Sequence, residues 1–231
     1  MSKSSLIEEV RNNLYSFPKS SQEFRSRLAK IGYDLSNSNL GGAALSRANL
    51  AKVNFKGSNL GGADLSEAKL RNSYLRGSNL GGANLSYADI SSSDLQTANL
   101  GSANLAYANL SRSNARGANM SGAYFGYASM RGANLSDSYL WGAYLKGCDL
   151  TSANLENAYL RGADLKGATL RSAKLRGADM SGANIRGAKM DMRAAKAVLV
   201  ASRMIDEQEA QRLGPKETLR TACLGGIILQ N

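Results

Sequence analysis

The sequence predicts an all-β solenoid, a four-sided tube of about eight coils with an α-helical cap at each terminus. Three observations predict it. A large apolar residue recurs every five positions from Leu35 to Met190, 32 positions in all, with Ala115 the single small occupant. A small residue stands two places before each of them, Tyr33 and Val53 being the only bulky ones. The string SNLGGA begins at Ser38, Ser58 and Ser78, then drifts to ANLGSA at Ala98, ANMSGA at Ala118 and SYLWGA at Ser138. The unit of five therefore sits inside a super-period of twenty.

A period of five fits neither regular element. On a helix each step of five advances a side chain by about 140°, which scatters the leucines around the cylinder. In a strand an odd step flips the face each time. The apolar residues share one interior only if the chain turns a corner in every unit. Glycine at the fifth position, as at Gly42, Gly57, Gly62, Gly77, Gly82, Gly117 and Gly122, suits such a corner. Tyr87, Tyr107 and Tyr127 occupy the same slot, which suggests that a positive φ is not required there. Four units then close one coil, residues twenty apart stack on one wall, and eight coils make a rod of about 38 Å. Backbone groups pair between coils, because nothing else in such a stack can satisfy them. Phe125 lies half a coil from Ala115, on the facing wall, where a large residue opposite a small one keeps the interior filled.

The unit A-(N/D)-L-x-x, as in ANLSYADI, ADLKGATL and ANLENAYL, resembles the pentapeptide-repeat family over about 160 of the 231 residues. The resemblance implies a right-handed quadrilateral β-helix and says little about activity. It also brings one functional alternative. Some members resemble duplex DNA in shape and charge and bind type II topoisomerases such as gyrase, protecting them from inhibitors. The net charge of +11 here disfavours that mimicry, leaving topoisomerase binding through another face as the alternative.

The ends read differently from the middle. Residues 1–32 form a helical cap in this reading: Leu6, Val10 and Leu14 lie on one helical stripe, and Ser20 with Glu23 resembles a capping box for a second helix ended by Gly32. Residues 33–192 are the repeat. In residues 193–231, AAKAVLVASRMIDEQEAQRL reads as one helix stopped by Gly214-Pro215, with Val198, Met204, Ile205 and Leu213 as its apolar side. The tail LRTACLGGIILQN is expected to fold back or to pair with a second copy, in preference to inserting into a partner, so a homodimer through a helical cap or this tail is one expected assembly.

Composition narrows the chemistry. The 29 Lys and Arg against 18 Asp and Glu favour an anionic partner or a solvated surface. No histidine is present, which removes His bases, His triads and His metal ligands. Cys148 and Cys223 lack CxxC spacing, so neither a zinc site nor a disulfide framework is expected. No secretory leader and no run of about 18 apolar residues is apparent, and the expectation is a cytoplasmic protein without a membrane span. The carboxylates stand singly in outward slots and a filled rod has no cleft, so no catalysis, cofactor or metal is expected.

Outward columns supply the candidate site. The slot before leucine on the SNLGGA wall reads Asn39, Asn59, Asn79, Asn99 and Asn119, then Tyr139 and Tyr159. An Asn ladder stabilises a stack by itself; the flat strip is also a docking surface for another sheet. Trp141 joins Tyr139 and Tyr159, Tyr124 and Tyr144 stack on the next wall, and Tyr127 continues Tyr107 and Tyr87, with Lys146 and Arg161 nearby. Stacked tyrosines stiffen a sheet; exposed Trp, Tyr and Arg are also the residues that anchor interfaces. These residues are the expected patch for a protein partner, one with an acidic surface fitting the charge. The basic residues of the C-terminal half are expected to spread over several walls, which disfavours specific nucleic-acid binding.

Overall fold

The computed structural model describes residues 2–11, 22–214, 218 and 228–229. Leu14, Ser20 of the expected capping box, Pro215 and Cys223 lie outside them. Parallel β-bridges join residues exactly one super-period apart, from Asp34↔Asn54 to Thr169↔Lys189. Four walls follow. Wall A holds residues 40, 60, 80 and onward; wall B holds 45, 65 and onward; wall C holds 50, 70 and onward; wall D holds 35, 55 and onward.

Units that carry Asn or Asp before the central residue solve their backbone hydrogen bonding in one way. The central residue donates to the coil above, as Leu80 N–H does to the Asn99 carbonyl at 2.6 Å. The residue two further on does the same, Gly82 N–H to the Gly101 carbonyl at 2.9 Å. The residue before the centre donates to the coil below, Asn79 N–H to the Ser58 carbonyl at 2.9 Å. A turn closes each corner, Ala83 N–H donating to the Leu80 carbonyl at 3.0 Å. One N–H remains, that of the residue after the centre, and the Asn or Asp side chain two places earlier accepts it: Asn59 Oδ1 from Gly61 N–H at 3.1 Å, Asp89 Oδ1 from Ser91 N–H at 3.2 Å. The Asn/Asp preference in the repeat is therefore a backbone requirement.

The corner slot corrects one expectation. Tyr87, Tyr107 and Tyr127 have φ of 58°, 59° and 58°, and the glycines of that slot have the same sign. Positive φ at the third residue of a four-residue turn is the type II signature. An L-residue adopts it at a cost of about 1–2 kcal/mol. The fold imposes it because that residue's N–H must reach the next coil, as Tyr87 N–H reaches the Ala106 carbonyl at 3.0 Å.

All 32 central residues are buried, including Ala115 and, on the facing wall, Phe125. Cys148 takes an inward small-residue slot, where burial pushes its thiol pKa up and leaves it an apolar filler.

Helices α1 (Lys3–Arg11) and α2 (Gln22–Lys30) precede the first coil. Leu6, Val10, Phe24 and Leu28 are buried in the same core as the leucine columns. Lys3 Nζ donates to the Ser36 carbonyl at 2.7 Å and Arg25 Nη1 to the Ala51 carbonyl at 2.9 Å, acceptors on the first coil's open edge. Gly32 ends α2 with φ of 62°: its N–H donates to the Ala29 carbonyl and Tyr33 N–H to the Leu28 carbonyl, a Schellman motif.

At the other end the expected single helix is two. Strand β1 (Lys189–Met190) leads into α3 (Met192–Ala201), and α4 spans Glu207–Arg212. Arg203, at φ of 59°, breaks the run, and Asp206 caps α4 by accepting from Glu209 N–H at 2.6 Å. Val198 and Ile205 are buried while Met204 is exposed, so the expected stripe is not one face. Asp191 ties helix to coil, accepting from Ala194 N–H at 2.9 Å and from Ser172 N–H at 2.7 Å. The α3 carbonyl of Ala201 accepts from Met180 N–H at 2.8 Å, a bond another coil would otherwise make. Strand β2 (Ile228–Leu229) pairs in parallel with β1, so this part of the tail returns to its own chain.

Four carboxyls have lowered pKa values, three at these junctions and Asp149 within wall C. Asp34 is held low by the Ser36 hydroxyl and N–H and by Lys3. Asp179 is held low by the Ser181 hydroxyl and N–H and by Arg203 and Arg161. Burial raises Asp149 and Asp191, yet Thr151 with Arg131, and the Ala194 and Ser172 N–H groups, bring each to a net lowering. A carboxyl lower in the folded than in the unfolded chain contributes stability that is complete above the unfolded value, about pH 4, and lost as pH falls through the folded value. The thermal midpoint is expected to hold level from neutral pH down to about 5 and then fall. Thermal scans across that range check it; a midpoint that rises on acidification contradicts it.

Candidate binding surface

The first five coils of wall A answer the question their flatness raises. Asn59, Asn79, Asn99 and Asn119 each donate Nδ2–H to the Asn one coil below, at 3.0, 3.0, 2.9 and 2.9 Å. Each Oδ1 in the run also accepts its own turn's N–H, as Asn79 does from Gly81 at 3.1 Å. The glycine after leucine leaves room for these amides on wall A. A Cβ on Gly61 would lie 3.0 Å from Asn79 Nδ2 and 3.2 Å from Asn59 Oδ1. Other walls carry the same amide bond with a side chain in this slot, as Asn104 to Asn84 beside Ser86, and on wall A itself Ser121 and then Trp141 appear there.

Above that point lies an aromatic cluster. Tyr139 and Tyr159 stack with centroids 5.1 Å apart, and Trp141 meets both edge-on at 5.6 and 6.0 Å. Trp141 remains 51% exposed. Arg161 stands one coil above Trp141 in the same slot and helps hold the Asp179 carboxyl low. The other expected residues form separate sets. Tyr124 and Tyr144 stack at 4.6 Å on wall B, beside Lys146. Tyr87, Tyr107 and Tyr127 stack at 4.9 and 5.4 Å along the corner between walls B and C. That corner ladder ends over a bare backbone: a Cβ on Gly147 would come within 2.6 Å of Tyr127 Cε1.

The aromatic substitutions remove a backbone bond. With Tyr at 124, 139, 144 and 159, no side-chain oxygen accepts the N–H of Gly126, Trp141, Lys146 or Arg161, and among the described residues none of these N–H groups has an acceptor. Sequence reasoning missed this trade. The periodic exchange of Asn or Asp for Tyr was the available signal, unread because the acceptor role of the Asn/Asp slot was not evident from spacing.

The model "Pentapeptide repeats (8 copies)" matches residues 34–66, 63–101, 93–126, 128–167 and 153–191. The chain is a pentapeptide-repeat protein. The family's right-handed quadrilateral β-helix is the fold that residues 34–191 adopt. Among solved structures, this pentapeptide-repeat chain is 31% identical to HetL of the cyanobacterium Nostoc sp. strain PCC 7120, a pentapeptide-repeat protein involved in heterocyst differentiation regulation. The match covers 68% of this chain and 76% of HetL, with a TM-score of 0.36. Trypsin-treated QnrB1, a plasmid-mediated fluoroquinolone resistance protein, is 21% identical over 72% of this chain and 93% of its own, with a TM-score of 0.52. That likeness concerns the fold alone. No curated protein matches the pentapeptide-repeat chain.

Two corner glycines separate strain from crowding in this pentapeptide-repeat protein. Both Gly62 and Gly147 have positive φ, but a Cβ on Gly62 meets nothing within 4 Å. Gly62→Ala is expected to destabilise by about 1–2 kcal/mol, the left-handed cost alone. Gly147→Ala adds the displacement of Tyr127 and is expected to cost more and to change the near-ultraviolet circular dichroism. Equal urea midpoints for the two variants would contradict the Tyr127–Gly147 packing.

Proposed function

We propose that the chain is a non-catalytic interaction scaffold that binds a protein partner through its flat walls, anchored by Tyr139, Trp141 and Tyr159. The observation that carries this reading is the trade on walls A and B. An Asn at 139 would continue the ladder and satisfy the Trp141 N–H, and a neutral backbone hydrogen bond contributes about 0.5–1.5 kcal/mol. The chain forgoes that contribution to expose large rings, and exposed Trp and Tyr are the residues that dominate interface energies. Tyrosine stacking offsets part of the loss. It gives no reason for a half-exposed Trp141 set edge-on to both rings.

The helices fit the scaffold role as end caps. An open coil edge is a template for fibre growth, and Lys3, Arg25, Asp191 and the Ala201 carbonyl occupy edge groups at the two ends. Action as a DNA mimic on a topoisomerase is opposed by the net charge of +11.

The test is capture of partners from the native host on the immobilised chain and on the double variant Tyr139→Ser/Trp141→Ser. The variant is expected to lose the captured protein while its far-ultraviolet circular dichroism stays unchanged. Undiminished capture by a folded double variant would remove the patch.

A further inference from the structure

Five of the ten arginines on the outer slots of the repeat are neutralised locally. Arg47 pairs with Glu67 at 3.1 Å, Arg71 with Asp89 at 3.6 Å, Arg116 with Asp137 at 2.9 Å, Arg131 with Asp149 at 2.8 Å, and Arg176 with Glu156 at 3.6 Å. Wall B is different. Lys146, Lys166 and Arg186 occupy the slot after the central residue in three successive coils. Their register is direct: Gly147 N–H donates to the Lys166 carbonyl and Gly167 N–H to the Arg186 carbonyl, each at 2.9 Å. All three side chains are exposed, and among the described residues none forms an ion pair. The corner slot beside them is glycine in all three coils, with the Tyr127 ring lying over Gly147 and nothing within 4 Å of a Cβ on Gly167. The charge expected to be spread over several walls thus includes an unpaired, uninterrupted column spanning about 10 Å.

The neighbours select the ligand. Asp164 adjoins the column, but its Oδ1 is engaged by Lys166 N–H at 3.1 Å and Asn184 Nδ2 at 2.9 Å. Tyr124 and Tyr144 lie face to face at 4.6 Å with an interplanar angle of 1°, so they offer rims and hydroxyls and not open faces for base stacking. Three cations are also few for a nucleic-acid backbone, whose binding grows with each phosphate neutralised. Carboxylates need neither stacking nor a long track, and both ammonium and guanidinium groups and phenol hydroxyls donate to them.

We propose that the Lys146–Lys166–Arg186 column binds an acidic peptide segment of a protein partner. This rests on the reading of the chain as a protein-binding scaffold, but it uses a different wall from the Tyr139–Trp141–Tyr159 anchor. Two arms of the partner would then be held, apolar and aromatic contacts on wall A and carboxylates on wall B.

The experiment measures fluorescence anisotropy of labelled poly-L-glutamate, with oligo(dT) of equal charge as competitor. Wild type is expected to bind poly-glutamate in a salt-sensitive manner. Lys146→Gln/Lys166→Gln/Arg186→Gln should weaken it by about tenfold or more. A charge-matched control, Lys56→Gln/Arg76→Gln/Arg112→Gln, should stay within about twofold, and Lys146→Arg/Lys166→Arg should retain binding. Tyr139→Ser/Trp141→Ser should leave poly-glutamate binding intact while losing partner capture, so the two sites fail separately. Equal loss in the control, full binding by the column variant, or preference for oligo(dT) would each overturn the proposal.

Discussion

The inter-coil backbone hydrogen bond is the constraint on which everything else in this molecule depends. A chain that turns every five residues makes no helix and no long strand, so apart from the turn bond in each unit its backbone N–H and C=O groups pair mainly with the coil above or below. That requirement sets the positive φ at each corner, because the corner N–H must point along the rod. It sets the small inward residue, which lets the walls approach, and it sets the Asn or Asp that accepts the one N–H the ladder cannot reach. Hydrophobic burial of the leucines then acts along the whole length at once.

The same constraint separates structural residues from those free to vary. The Asn run from Asn39 to Asn119 is closed upon itself: each amide bonds its neighbour, each oxygen also serves the backbone, and the following glycine leaves room for both. Such a strip is fully explained by stability. Tyr139, Trp141 and Tyr159 break the scheme, exchanging a satisfied backbone donor for exposed rings. In a repeat protein the departures from the unit carry the information about function; Lys69, Tyr74, Ser129, Thr169 and Lys174 depart on walls C and D, whereas the stacked tyrosine pairs and Trp141 lie on the adjoining walls A and B.

The architecture was readable from spacing alone because the unit is short and repeated. Leucine every five residues excludes both regular periods, and the twenty-residue recurrence of SNLGGA specifies four corners. The corner conformation was not readable from residue type. Tyr87 suggested an ordinary backbone, yet the inter-coil bond holds it at positive φ against its local preference. The C-terminal helix was misjudged for a related reason. Its apolar residues look continuous, but Asp206 competes as a cap and splits the run at Arg203. The surface columns could be written down from the period. Which charges in them were paired could not, because pairing depends on side chains up to one coil away, as between Arg116 and Asp137.

Through-hydrogen-bond scalar couplings, read by NMR on the isotopically labelled chain, test the central claim most directly. The account predicts couplings from the amide of each central residue from Leu35 to Leu170 to the carbonyl nineteen positions later, such as Leu80 to Asn99 and Leu100 to Asn119, each N···O pair 2.6 Å apart. Couplings to a carbonyl fourteen positions later would mean three corners per coil and would contradict the account, as would central amides that show no partner in another coil.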